Sequence, residues 1–343
     1  MDAINTVPQN IIISRTDSIG DVILTLPIAA VLKKHFPSMT IGFMGKSYTR
    51  PVIEACKYVD EFIDVEDFLN KEVLVGGKAP QCILHVFPKS TIAKRALQTR
   101  IPLRIGTTNR IYHWFTCNKR VKLSRKKSNL HEAQLNLVLL QPFGVPVSYS
   151  LQDISPLFGL DKLQPLPAQF LSLIQKEKYN LILHPKSQGS AREWPLENFL
   201  QLIDMLDKDK FNIFISGTAK EKERMKWLFD KAGNMVTDIT GKMTLQEFMA
   251  FINQCDGLVA NSTGPLHIAA TLGKDALGIY PPLQPVHPGR WAPIGPHAHV
   301  FVLDKQCIEC KDNKTSCSCI INIPAASLKA TLDKRYFDKK AIS

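Results

Sequence analysis

Residues 10–37 read NIIISRTDSIGDVILTLPIAAVLKKHFP, and the fold class follows from them. Asn10–Ser14 is a β-branched apolar run without alternation, the pattern of a strand buried on both faces of a parallel sheet. Arg15–Gly20 forms a turn, and Asp21–Phe36 carries helical periodicity until Pro37 stops it. Thr40–Met44 supplies a second apolar run. A strand, a crossover helix and another strand make a βαβ unit, which requires a parallel sheet.

The same rhythm extends outward. Glu61–Val65, Cys82–Val86 and Leu103–Gly106 are expected strands, and Leu130–Leu140 an expected helix. Pro142, Pro146, Pro156, Pro165 and Pro167 then crowd a stretch with little periodicity, where a domain boundary belongs. Beyond it the alternation restarts. Strands are expected at Tyr179–His184, Asn212–Ser216, Gly257–Ala260 and Ala276–Tyr280, and helices at Pro195–Leu206, Ala219–Ala232 and Pro265–Leu272. The resulting division is 1–160, 161–327 and a basic, helical tail over 328–343.

The 343-residue length fits two domains. With 45% hydrophobic and 22% charged residues the composition is globular, which excludes disordered and collagen-like classes. The longest apolar stretch, Val22–Leu32, is interrupted by Thr25 and Pro27 and falls short of the roughly 20 residues that span a bilayer. The first ten residues lack the basic start and apolar centre of a secretory signal, so a cytoplasmic location with reduced cysteines is expected.

In open parallel sheets ligands bind beyond the carboxyl ends of the strands. Four such loops carry chemistry. Ser14–Asp21 has one glycine, Gly20, where a dinucleotide fingerprint needs three. Asp21 there is either an N-cap residue or a general base, with Asp17 competing for the second role. The loop 184–195, HPKSQGSAREWP, sets hydroxyls, a glycine and two cations before a helix, a composition suited to phosphate oxygens. In 261–270, NSTGPLHIAA, the amides of Ser262, Thr263 and Gly264 would open a helix on an anion, with His267 in its first turn. The Pro-rich stretch 281–291 reads as a rigid wall in which Arg290 is either a further cation or a solvated surface residue.

Together the SIGD turn, the HPKSQGSAREWP loop and the STGPLH loop, in that order, resemble the ADP-heptose:lipopolysaccharide heptosyltransferases of glycosyltransferase family 9. The resemblance covers most of residues 10–303. It implies a GT-B fold of two Rossmann-like domains, with the acceptor on the first and the nucleotide-sugar on the second. It implies inversion, with Asp21 as catalytic base. It also implies donor contacts from Ser187, Arg192, Ser262, Thr263, Gly264 and His267, and a weaker one from Glu221 to the adenosine ribose. Ser262 stands where some members have Asp, and Arg192 where they have Lys, which leaves the identity of the sugar open. No D-x-D-type pair lies at the diphosphate loops, so neither a metal nor another cofactor is expected.

Charge singles out one further region. The net charge is +12, and Lys89–Lys127 holds twelve Lys and Arg without one Asp or Glu. Ile111-Tyr112-His113-Trp114-Phe115 lies among those cations, a mixture suited to a membrane interface. Arg15, Arg110, Lys119, Arg120, Arg125, Lys126 and Lys127 are therefore expected on the acceptor or membrane side, against an anionic cytoplasmic leaflet carrying a glycolipid acceptor. Two alternatives remain at this point: another nucleotide-sugar donor, or a basic nucleic-acid-binding protein, although no helix-turn-helix, zinc-finger or RNP pattern is present. Nucleic acid is accordingly not an expected partner. Cys307, Cys310, Cys317 and Cys319 are a small zinc knuckle, free thiols or a loop staple.

Overall fold

The computed structural model describes residues 6–189, 191–283, 286–303 and 318–342. The chain divides into two compact units, 1–162 and 163–343.

The first unit is built on a six-stranded parallel sheet of β1 (Asn10–Ser14), β2 (Thr40–Gly45), β3 (Glu61–Asp64), β4 (Cys82–His85), β5 (Leu103–Thr107) and β6 (Lys119–Val121), in the order β3-β2-β1-β4-β5-β6. Ile11, Ile12 and Ile13 are fully buried, as their unbroken apolar run requires of a central strand. Each such burial stabilises by about 1.5–3 kcal/mol. Ile12, Met44, Ile63, Phe68, Ile83 and Ile92 belong to the core on one side of this sheet.

The helix expected over Asp21–Phe36 is two helices, Ile19–Ile23 and Pro27–His35. Pro27 has no N–H to give the preceding turn, so it can only start a new helix. Leu24–Leu26 bridge the break with tight bonds such as Thr25 N–H to Val22 O at 2.9 Å.

The second unit repeats the architecture with β7 (Tyr179–His184), β8 (Phe211–Ile215), β9 (Thr237–Asp238), β10 (Gly257–Asn261), β11 (Asp275–Ile279) and β12 (Ala298–Phe301), ordered β12-β11-β10-β7-β8-β9 and all parallel. Counted from the first strand of each unit, both sheets have the order 3-2-1-4-5-6 of a dinucleotide-binding Rossmann fold. The expected Ala219–Ala232 helix is interrupted at Met225. The basic C-terminal segment is no appendage. Its helix starts earlier than expected, at Ala325, and runs to Ile342, while Leu328 and Leu332, both 0% exposed, lie in the core of the second unit with Trp194, Phe199 and Ile203.

Cys307, Cys310 and Cys317 lie outside the described residues, and Cys319 is buried in the same core. Among the described residues no group of three His, Cys, Asp or Glu side chains is arranged to hold a metal, and no helix is long and apolar enough to cross a membrane.

Candidate functional site

At the carboxyl end of β1 the chain enters Arg15, which is 3% exposed and sits at the centre of a charged cluster. Its Nε donates to Asp17 Oδ1 at 2.7 Å, its Nη1 to Glu132 Oε1 at 3.0 Å, and its Nη2 to Asp21 Oδ1. Burial opposes the arginine's charge, but the carboxylates of Asp21, Asp17 and Glu132 outweigh that and raise its proton affinity.

Asp21 is the third residue of the Ile19–Ile23 helix, not its cap; Ser18 occupies the cap position. Its second oxygen accepts from Ser18 Oγ, so the carboxylate is oriented by side chains and not by orphan amides. The side chain is 16% exposed, still within reach of solvent. Asp17, the competing carboxylate, accepts from Arg15 Nε, and its pKa is pushed up to about 6, chiefly by burial and further by repulsion from Asp21. Tyr48 Oη donates to the Asp17 carbonyl at 2.6 Å.

Glu132 is the residue that sequence reasoning missed. It is 1% exposed in the first turn of the Glu132–Val138 helix and also accepts from Arg125 Nε at 2.9 Å. Arg125 donates further to Val86 O at 3.1 Å and Asn136 Oδ1 at 3.0 Å. The Nε and Nη2 donors of Arg125, expected on the acceptor or membrane side, are thus engaged inside the unit. Arg15 likewise faces inward.

Other arginines of the basic segment are compensated in the same manner, by backbone oxygens. Arg95 binds Phe68 O and Lys71 O, Arg104 binds Thr116 O and Ile101 O, and Arg120 binds Cys117 O at 2.6 Å while stacking 4.6 Å from the Trp114 ring. Three apolar residues of the segment stand well exposed on the helix Ile111–Thr116, Ile111 at 81%, Phe115 at 78% and Trp114 at 56%. Arg110 precedes it and is exposed, as is Lys127; Lys119 is half-buried in β6.

In the second unit the carboxyl ends of β7 and β10 are tied together by Asn261, which is fully buried. Its Nδ2 donates to Pro185 O at 2.8 Å and its Oδ1 accepts from Trp194 N–H at 2.8 Å. The loop after β7 is therefore pinned at both ends to the mouth of the helix Gly264–Thr271.

Within that loop Glu193 gathers Lys186 Nζ, Ser187 N–H and Ser187 Oγ, each at 3.0 Å. Burial works against the Glu193 charge, but these donors hold its pKa below the usual value. Gln188 and Gly189 turn the loop through left-handed backbone, easy for Gly189 and uncommon for Gln188. The Gln188 N–H reaches Glu221 Oε1 at 3.2 Å. Glu221 is buried as the third residue of a capping box with Thr218, its Oε2 accepting from the Thr218 N–H at 2.8 Å. Both oxygens are engaged, so a ribose hydroxyl would share one already in use. Arg192 lines a cavity of about 610 Å³ with Lys186, Glu193 and Arg224.

The Gly264–Thr271 helix opens with Thr263 at its cap and Pro265 in its first turn. Thr263 does not cap with its side chain; its Oγ1 is buried at the helix mouth without a partner among the described residues. Ser262 is partly exposed beside it and touches the Tyr280 hydroxyl, whose pKa burial raises. His267 is 4% exposed on the first turn. His184, at the end of β7, contacts Ser216 Oγ at 2.9 Å, and burial lowers its pKa to about 4. Arg290 is buried, 5.8 Å from the Trp291 ring, and is not a solvated surface residue.

Residues 89–321 match the family model described as glycosyltransferase family 9 (heptosyltransferase), about two thirds of the chain. The chain belongs to glycosyltransferase family 9. It is 22% identical over 284 residues to the lipopolysaccharide core heptosyltransferase OpsX of Haemophilus influenzae, covering 80% of this chain and 79% of that one. Among solved structures it resembles the glycosyl transferase family 9 protein of Veillonella parvula, with a TM-score of 0.79, 20% identity and 98% and 100% coverage. It also resembles the E. coli heptosyltransferase WaaC with ADP-2-deoxy-2-fluoro heptose, with a TM-score of 0.67, 15% identity and 95% and 99% coverage. The family-9 chain is thus a glycosyltransferase with the α/β fold of GT-B enzymes.

Proposed function

We propose that this family-9 enzyme is an inverting heptosyltransferase that moves a heptose from an ADP-sugar to a lipopolysaccharide-core or similar glycolipid acceptor, with Asp21 as general base. The observation that carries the reading is the Asp21 carboxylate, fixed at the carboxyl edge of the first sheet by Arg15 and Ser18 and still reached by solvent. The acceptor hydroxyl oxygen attacks the anomeric carbon as its proton passes to Asp21. The bond from that carbon to the diphosphate oxygen breaks, and ADP leaves with the electron pair.

The donor side rests on the second unit. Arg192, the amides at Ser262–Gly264 and the buried Thr263 hydroxyl supply donors where negative charge grows on the leaving group, and His267 stands on the same helical turn. OpsX and the sugar-nucleotide bound to WaaC make a heptose and ADP the favoured chemistry.

The acceptor is lipid-linked in this reading, and the enzyme reaches it as a peripheral protein on the cytoplasmic leaflet. Support comes from the Ile111–Thr116 helix, whose three exposed apolar residues neighbour Arg110 and Arg120. Such a surface seats rings at headgroup depth and cations against phosphates. The deciding experiment is mass-spectrometric turnover of a panel of nucleotide-sugars on a lipopolysaccharide-core acceptor. ADP-heptose should be consumed with ADP release; turnover of a different nucleotide-sugar, with ADP-heptose untouched, would replace the donor assignment.

A further inference from the structure

Following the hydrogen bonds away from Asp21 leads back to Asp21. Its carbonyl accepts from Thr25 Oγ1 at 2.8 Å. Thr25 Oγ1 accepts from Asn136 Nδ2 at 3.2 Å, and the same amide donates to Leu24 O at 3.0 Å. Asn136 Oδ1 accepts from Arg125 Nη2 at 3.0 Å, and Arg125 Nε donates to Glu132 Oε1 at 2.9 Å. Glu132 Oε1 accepts from Arg15 Nη1 at 3.0 Å, and Arg15 Nη2 closes the ring on the Asp21 side chain. Thr25, Glu132 and Asn136 are each 1% exposed or less.

We infer that Glu132 and Arg125 are positioning residues for the transfer step, acting through Arg15 to hold the Asp21 carboxylate in the orientation that meets the acceptor hydroxyl. The inference rests on Asp21 being the base. Arg15 alone would not suffice, because its guanidinium also faces Asp17 and could turn toward either carboxylate. Glu132 takes the third edge of the fork from a helix more than a hundred residues away in sequence, and so fixes the plane in which Asp21 is held.

A buried acid bearing on two arginines is costly unless both stay paired, so the cluster is expected to hold one arrangement and resist rotation. The break at Pro27 belongs to the same device. It leaves Thr25 in the turn between two helices, where its hydroxyl serves both Asp21 and Asn136. On the Arg50–Glu54 helix the two charged residues, Arg50 and Glu54, bind each other at 3.4 Å.

The test uses full-length enzyme, ADP-heptose and a lipopolysaccharide-core acceptor. Glu132→Gln keeps an acceptor oxygen but removes the charge, and should lower kcat by about 10- to 100-fold with KM for both substrates within twofold. Arg125→Lys, which keeps the charge, should recover part of the rate lost in Arg125→Gln. Because both residues act through Asp21, their substitution in an Asp21→Asn background should cost nothing further. A Glu132→Gln effect of equal size in both backgrounds, or one confined to KM, overturns the inference. Near-normal turnover by Asp21→Asn alone would instead remove the base assignment beneath it. If Glu132→Gln fails to fold, Arg125→Gln carries the same comparison from a residue that is 25% exposed.

Discussion

In the first unit the leading strand β1 runs into an arginine clasped by three carboxylates; in the second, the equivalent strand β7 runs into a lysine and a serine whose donors converge on one glutamate. The strand order is the same in both. One edge therefore offers an oriented carboxylate and the other a set of donors beside a helix mouth. In the proposed reading, a proton acceptor and an anion cradle thus differ by a few residues after the first strand, on scaffolds that share one strand order.

The sharpest way to break that contrast is Asp21→Asn. It should lower transfer by about 10² to 10⁴, the usual worth of a general base, while ADP affinity stays within twofold. Loss of ADP affinity in this variant would mean that the first unit holds the nucleotide as well.

The converse substitutions, Arg192→Ala and His267→Ala, should each weaken ADP binding by about 10- to 100-fold, the range of a charge-assisted hydrogen bond. Calorimetric titration reads this directly, and wild-type affinity in both variants would dissolve the donor assignment.

The two units also respond alike to acid, which sharpens the comparison from the side of stability. His85, in the first, is fully buried with neither ring nitrogen bonded among the described residues, and burial lowers its pKa to about 3; His184, in the second, is lowered to about 4. Both stay neutral when folded but take a proton near pH 6.5 when unfolded. Stability from these groups is therefore whole above pH 6.5 and is lost as pH falls toward 4, by about 1.4 kcal/mol per pH unit for each histidine. Urea midpoints between pH 7 and 5 should show the loss, and His85→Leu should flatten the part belonging to the first unit. A slope unchanged in that variant would contradict the assignment.

The smallest effect expected is at the membrane. Phe115→Ser and Arg110→Gln should each reduce co-sedimentation with anionic vesicles several-fold, on the scale of about 1 kcal/mol per contact, and salt should weaken the binding of the wild type. Equal pelleting on neutral and anionic vesicles would remove the docking surface while leaving the transfer chemistry in place.

Legibility in the sequence followed burial. β1 and β7 match their expected limits to the residue, because a strand covered on both faces must be continuously apolar. The edge strands β6, Lys-Arg-Val, and β12, Ala-His-Val-Phe, went unread, since an edge strand partly open to solvent carries no such run. The helix Leu245–Gln254 was also missed, although Thr244 and Glu247 form a capping box visible in the sequence.

At the site the contrast is similar. Asp21 and the 261–270 loop could be found because turn chemistry is local, whereas Glu132 has its partner 117 positions away and no local pattern announces the pairing. The charge run misled for a related reason. Counting acids could not reveal that Arg95, Arg104 and Arg120 are satisfied by carbonyl oxygens, or that Arg125 is bound by Glu132, just beyond the end of the run.

The division of labour between the two edges is tested most directly by amide hydrogen exchange of the wild-type protein with and without ADP. Protection is expected at 187–189 and 261–265, where the loop amides and the helix mouth meet the diphosphate, with the 15–21 turn unchanged. Protection of 15–21 by ADP, with the second unit's loops exchanging as in the free protein, would contradict the account.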